Sequence, residues 1–273
     1  MAERPNVRAF LVPALPSAMI FMEIVIRPDA AAAAGLTVAF IAQVLRINPR
    51  PVFGLATGRT VEPVSARLVE MHRREWLDFS RCRTFNLDEY IGLPSGNSNS
   101  YRAFMNHHLF AKVNLKPQYT HLPDGMAADP EAECARYERL ITQFGGVGLQ
   151  LLGLGRNGHI GFNEPPCTMS SRTPVQQLSP AKLGKSAPLF PFPERVPDHA
   201  ITMGIGTILD SPRCLLLATG EEKAEIVART VAGPLTSAVP ASALQTHCDC
   251  VIVLDEAAAS RLKKNIGSDN LWL

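Results

Sequence analysis

The sequence contains no Cys pair at CxxC spacing, no spaced Cys/His set and no run of Lys and Arg. Each absence excludes something. Without thiols and imidazoles at metal-ligand spacing there is no metal-ligand pattern, and the scattered Cys82, Cys134, Cys167, Cys214, Cys248 and Cys250 read as buried free thiols of a reducing, cytoplasmic compartment. With 27 basic against 25 acidic residues and a net charge of +2, no global field draws the chain to nucleic acid or to an anionic membrane, so any anion recognition is local. The apolar stretch from Ala9 to Ile26 is broken by Pro13 and Pro16 and interrupted by Glu23, which argues against both a signal peptide and a membrane span. An ordinary first strand, MEIVIRPD, opens at Met22. Residues 1–21 are therefore expected to be an N-terminal extension outside the domain, with Met22 as a candidate start of translation.

The 273 residues, 46% hydrophobic and 19% charged, are those of a chain that buries a large core as one domain, expected over 22–273. Short β-branched or apolar runs alternate with helical periodicity, the pattern of parallel strands joined by crossover helices. Strands are predicted at Glu23–Ile26, Val52–Ala56, Thr84–Leu87, Leu149–Leu154, Ile201–Met203, Leu215–Ala218 and Val251–Leu254. Helices are predicted at Ala30–Arg46, Glu62–Arg73, Ser100–Phe110, Pro130–Phe144, Glu221–Val231 and Glu256–Leu262. The expected fold is α/β: a three-layer sandwich with a Rossmann-like, doubly wound, mainly parallel sheet covered by helices on both faces. Between Pro165 and Pro197 the chain holds eight of its 22 prolines and shows no helical or strand period, so a lid loop is expected there.

Ligands in such folds gather at the carboxyl ends of the strands, and three polar or glycine-rich segments follow predicted strands. Thr57, Gly58, Arg59 and Thr60 lead into a predicted helix, where backbone N–H groups, hydroxyls and a guanidinium suit a phosphate, although a glycine turn with a Thr cap is as common in pure structure. In LDEY, Asp88 and Glu89 point to opposite sides of an extended segment, so one is expected to be chemical and the other structural. The segment GLGRNGHIGFNEPP packs Asn157, His159, Asn163 and Glu164 together with the interleaved Gly155, Gly158 and Gly161, a grouping suited to moving protons at sugar oxygens. Lys223 falls in the first turn of a predicted helix, where a bound anion would offset its opposition to the helix dipole. His107, His108 and His247 read as helix-face or packing residues.

LATGRT, FNLDEYIGLP with SYRAFM, LLGLGRNGHIGFNEP, MGIGTILDS and PASALQTH resemble, in order and spacing, the glucosamine-6-phosphate deaminase/isomerase family, from about Met22 to Leu262. The resemblance implies conversion of glucosamine 6-phosphate to fructose 6-phosphate and ammonia, with no metal or organic cofactor. Asp88 is then the base at C2, His159 the acceptor of the ring-opening proton with Asn157 and Glu164 in support, and Thr57, Gly58, Arg59, Thr60 and Lys223 the phosphate and substrate contacts. Where some members have Asp, this chain has Asn157, which orients but carries no charge. Arg59 occupies a position that is small in the family, Val61 replaces a proline, and Ala187 stands where a phosphate-binding lid arginine is usual. The lid departures keep a related substrate such as galactosamine 6-phosphate open, and beside it a lactonase-like hydrolase on the same fold and a non-catalytic sugar-phosphate sensor. The partner implied is a small phosphosugar, not nucleic acid or membrane; a homo-oligomer is compatible with the sequence but not dictated by it.

Overall fold

A computed structural model describes residues 7–11, 21–180, 183–184, 187–190 and 196–262. The chain runs β1 (Val7–Leu11), β2 (Phe21–Arg27), α1 (Ala30–Ile47), β3 (Val52–Leu55), α2 (Glu62–Glu75), β4 (Arg83–Asn86), β5 (Asp88–Tyr90) and α3 (Tyr101–His108). It continues through β6 (Thr120–His121), α4 (Pro130–Gln143), β7 (Leu149–Gly153), β8 (Val175–Gln177), β9 (His199–Thr202), α5 (Ile205–Leu209), β10 (Cys214–Ala218), α6 (Ala224–Ala232) and β11 (Asp249–Asp255). Capping residues start the long helices: Asp29 accepts the Ala32 N–H at 2.8 Å for α1, and Asp129 accepts the Ala132 N–H at 3.0 Å for α4. α2 differs, since Val61 at its N-cap makes no side-chain bond.

Eight strands form one sheet in the order β1-β2-β11-β10-β7-β3-β4-β6, with only β1 antiparallel. The α/β, mainly parallel architecture is the expected one. Residues 7–11 of the N-terminal segment join this sheet, pairing with β2 from Val7↔Val25 to Leu11↔Phe21. Strands such as β10 are buried along their whole length, as in a sheet covered on both sides. α1 has the length and apolar composition of a membrane-crossing helix, yet it lays Ala33, Ala34, Val38, Ile41 and Ala42 into the core against β2, β10 and β11.

The predicted strand at Ile201–Met203 does not join this sheet. It forms β9 in a small antiparallel sheet, β5-β9-β8, that the sequence did not suggest. Here a second apolar cluster of Tyr90, Leu93, Phe162, Leu178, Phe190 and Ala200 takes up the burial. The segment predicted as a helix at Glu256–Leu262 is instead a series of turns over residues 256–261, opened by Asp255, whose carboxylate accepts the N–H groups of Ala258 and Gly220. Ser100–Phe110 shortens to α3 followed by a 3-10 turn, and Glu221–Val231 opens with the 3-10 turn Glu221–Lys223.

The stretch 165–197 carries strand β8 and a 3-10 turn at Ala187–Leu189, while residues 181–182, 185–186 and 191–195 lie outside the described part. Four cysteines are buried as expected, but Cys167 is half-buried and Cys248 exposed.

Candidate active site

The chain leaves β3 toward β4 and β6 on one side and leaves β7 toward β10 and β11 on the other, so β3 and β7 flank the point where the winding reverses. Their pairing covers only Phe53↔Leu149 and Gly54↔Gln150, and beyond it the two carboxyl ends part. Crevices at such reversal points are where open α/β sheets bind ligands. An open cavity of about 660 Å³ lies here, bordered by the turn after β3, the start of β5, the loop after β7 and the turn after β10.

Thr57, Gly58, Arg59 and Thr60 line one wall. Gly58 takes φ +105°, a left-handed value that favours glycine, and its carbonyl accepts the N–H groups of Val61 and Glu62 at 3.0 and 3.3 Å. The N-terminus of α2, uncapped by a side chain, opens beside these residues, a polarity that favours an anion. Arg59 is exposed at the cavity. Across from it Lys223 hangs from the turn whose Gly220 N–H is bound by Asp255, and its Nζ donates to the carbonyl of Leu154 at 2.7 Å.

The two acids of LDEY separate as their alternation predicts. Asp88, buried, lines the cavity. Glu89 points away and accepts the backbone N–H groups of Tyr90, Tyr101 and Arg102, each at 2.9 Å, anchoring the start of α3. Burial pushes the Glu89 carboxyl up, against these hydrogen bonds and the Arg102 charge.

His159 lines the cavity from the loop after β7. Its Nδ1 lies 2.5 Å from Asn157 Oδ1, and the same oxygen receives the His159 backbone N–H at 3.3 Å. Two nitrogens converging on one amide atom identify that atom as oxygen and make Nδ1 the protonated ring nitrogen, so that Nε2 is the proton acceptor of the neutral ring. The glycines make this possible: a Cβ on Gly155 would stand 2.2 Å from the His159 ring. Asn163 is structural, its Nδ2 donating to Ile160 O at 2.9 Å and Met203 O at 2.8 Å. Glu164 follows, partly buried, and is not among the cavity-lining residues. Ala187 is exposed and likewise does not line it.

Tyr101, Arg156, Phe162 and Glu222 line the cavity without having been picked out from the sequence. Tyr101 stacks on Phe162 with ring centroids 5.8 Å apart and shares a side-chain hydrogen bond with Thr57. Burial, then its neighbours Tyr90 and Asp88, hold its phenol far above the ordinary range, so it is a protonated donor. Arg59, Arg156 and Lys223 thus line the same cavity as Asp88, Glu222 and His159, a set able to hold an anionic group and to accept protons.

Known proteins share much of this sequence and its fold. The model of glucosamine-6-phosphate isomerases/6-phosphogluconolactonase matches residues 29–253. The glucosamine-6-phosphate deaminase of Cellvibrio japonicus is 48% identical over 241 residues, covering 88% of this chain and 92% of the relative. That of Rhodopirellula baltica is 48% identical over 243 residues, covering 89% and 97%. A solved monomeric glucosamine-6-phosphate deaminase superposes with a TM-score of 0.84 at 42% identity, over 87% of this chain and 99% of the other. A 6-phosphogluconolactonase from Thermotoga maritima shares the fold alone, with a TM-score of 0.65 at 18% identity over 86% and 98%. The chain belongs to the family of glucosamine-6-phosphate isomerases and 6-phosphogluconolactonases.

Proposed function

We propose that this protein converts glucosamine 6-phosphate to fructose 6-phosphate and ammonia. The observation that carries the reading is that Asp88 and His159, held on separate segments, line one cavity together with the Thr57–Thr60 turn and Lys223. Opening a pyranose ring and deprotonating its C2 need two proton acceptors at different substrate atoms. His159 Nε2 takes the ring-opening proton, with Asn157 fixing the tautomer. Asp88 takes the C2 proton of the open-chain amino aldehyde, giving an enolamine; return of a proton at C1 makes the ketimine, and water then replaces ammonia at C2. Glu164 supplies electrostatic support that neutral Asn157 lacks. Thr57, Gly58, Arg59, Thr60 and Lys223 bind the phosphate, with Arg59 taking the part of the cation missing at Ala187.

The reading is tested by offering the protein glucosamine 6-phosphate, galactosamine 6-phosphate, unphosphorylated glucosamine and 6-phosphogluconolactone, following ammonia and ketose. Glucosamine 6-phosphate should give both products fastest, and the unphosphorylated sugar almost none. Lactone hydrolysis without ammonia release from either amino sugar would overturn it.

A further inference from the structure

One strand end holds both proton-transfer segments. In the antiparallel pairing of β5 with β9, Asp88 stands opposite Thr202, and Met203 N–H donates to Leu87 O at 2.6 Å, so residues 202–203 fix the backbone that carries Asp88. The same two residues hold the loop that carries His159: Thr202 Oγ1 accepts the Phe162 N–H at 3.1 Å, and Met203 O accepts from Asn163 Nδ2 at 2.8 Å. The Thr202 hydroxyl donates to Met203 O at 3.4 Å, so it serves as both donor and acceptor. Gly161 sits where the segments converge. It takes φ +57°, and a Cβ there would lie 2.9 Å from Thr202 Oγ1 and 3.6 Å from Asp88 Oδ2.

We propose that Thr202 is a positioning residue for the reaction: it stands opposite Asp88 in the β5–β9 pairing, next to the Met203 N–H that bonds Leu87 O, and its hydroxyl registers the Gly161–Phe162 end of the His159 loop. Thr202 is fully buried among Ala200, Ile201 and Met203, a place where valine would fill the same volume. What threonine adds is an acceptor 3.1 Å from the Phe162 N–H, a hydrogen bond that valine would remove. Because the two proton acceptors come from different strands, their relative placement depends on whatever bonds the strands together, and small misplacements of reacting groups cost rate more than binding.

The inference rests on the roles assigned to Asp88 and His159, and the experiment separates the two. Steady-state ammonia release, the primary isotope effect with C2-deuterated glucosamine 6-phosphate, and Tm are measured for wild type, Thr202→Val, Thr202→Ser, Asp88→Asn and His159→Gln. For Thr202→Val the expected result is a kcat lowered about 10- to 100-fold with KM retained and a larger isotope effect. Thr202→Ser, which keeps the hydroxyl, should restore most of the rate. Wild-type kcat and isotope effect in Thr202→Val would overturn the proposal, as would a loss that merely tracks the folded fraction. Should the valine variant fail to fold, Thr202→Cys, with a much weaker acceptor, must show the same kcat loss at retained KM, and wild-type kcat there overturns the proposal equally. Wild-type turnover in Asp88→Asn and His159→Gln would overturn the assigned roles and the inference with them; loss in those two without loss in Thr202→Val would overturn the inference alone.

Discussion

Asn157 and His159 meet through a single oxygen: Asn157 Oδ1 receives both the ring Nδ1, at 2.5 Å, and the backbone N–H of His159. That oxygen decides which ring nitrogen is basic. Asn157→Leu, with the same branching and without an acceptor, should lower kcat/KM about 10- to 1000-fold, within the range of general-base contributions, while leaving Tm nearly unchanged because the side chain is exposed. Rate profiles and thermal melts of the variant check this.

The ring of His159 rests on Gly155, where any Cβ would overlap it. Gly155→Ala should therefore displace the imidazole and lower kcat/KM about 100-fold or more. A variant structure with an unmoved ring, together with wild-type turnover, would contradict the account.

Arg59 stands exposed at the cavity beside the uncapped start of α2. Arg59→Ala should raise KM for the phosphosugar about 10- to 100-fold, the size of a lost charge-assisted contact, with kcat little altered. Initial-rate kinetics of the variant give the answer, and an unchanged KM would show that Arg59 does not bind the phosphate.

Much of this geometry was legible in the sequence because the large sheet advertises itself. CLLLA is a continuous apolar run and LQLLG is one broken only by Gln150, and the polar or glycine-rich residues that follow fall at strand ends. The small sheet was not legible. DEY reads as an extended segment carrying two acids, with nothing to name its partner strand, yet all three residues are buried against β9, and Glu89 sets its carboxylate on three backbone N–H groups that only tertiary structure brings to it. Tyr101 was missed because nothing local marks it: it opens α3, and its place in the cavity depends on Glu89 drawing that helix start inward. Thr202 was hidden for a similar reason, since its partner Phe162 lies 40 residues away.

Below the small sheet, Glu138 on α4 gathers the chain around residue 172. Its carboxylate accepts from Arg172 Nη2 at 2.7 Å, Thr173 N at 2.9 Å, and the hydroxyls of Thr173 and Thr207, each at 2.5 Å. Burial pushes this carboxyl up, but the hydrogen bonds from Thr173, Thr207 and Arg172 outweigh it and hold it below the ordinary range. A carboxyl depressed in the folded state contributes stability that is complete above its unfolded value, about 4.3, and is lost as pH falls through the folded value. Glu138→Gln should accordingly cost about 1 to 3 kcal/mol at neutral pH and less as pH falls below about 4. Urea melts of both proteins across that range would show the gap closing; a gap that is constant with pH would contradict it.

The central claim is that Asp88 removes the C2 proton of a phosphorylated amino sugar. Ammonia and fructose 6-phosphate released from glucosamine 6-phosphate, measured for wild type beside Asp88→Asn, test it most directly. Wild type should release equal amounts of the two products, and the variant should show a kcat about 100- to 10,000-fold lower at similar KM. Equal turnover by the two proteins, or ketose formed without ammonia, would contradict it.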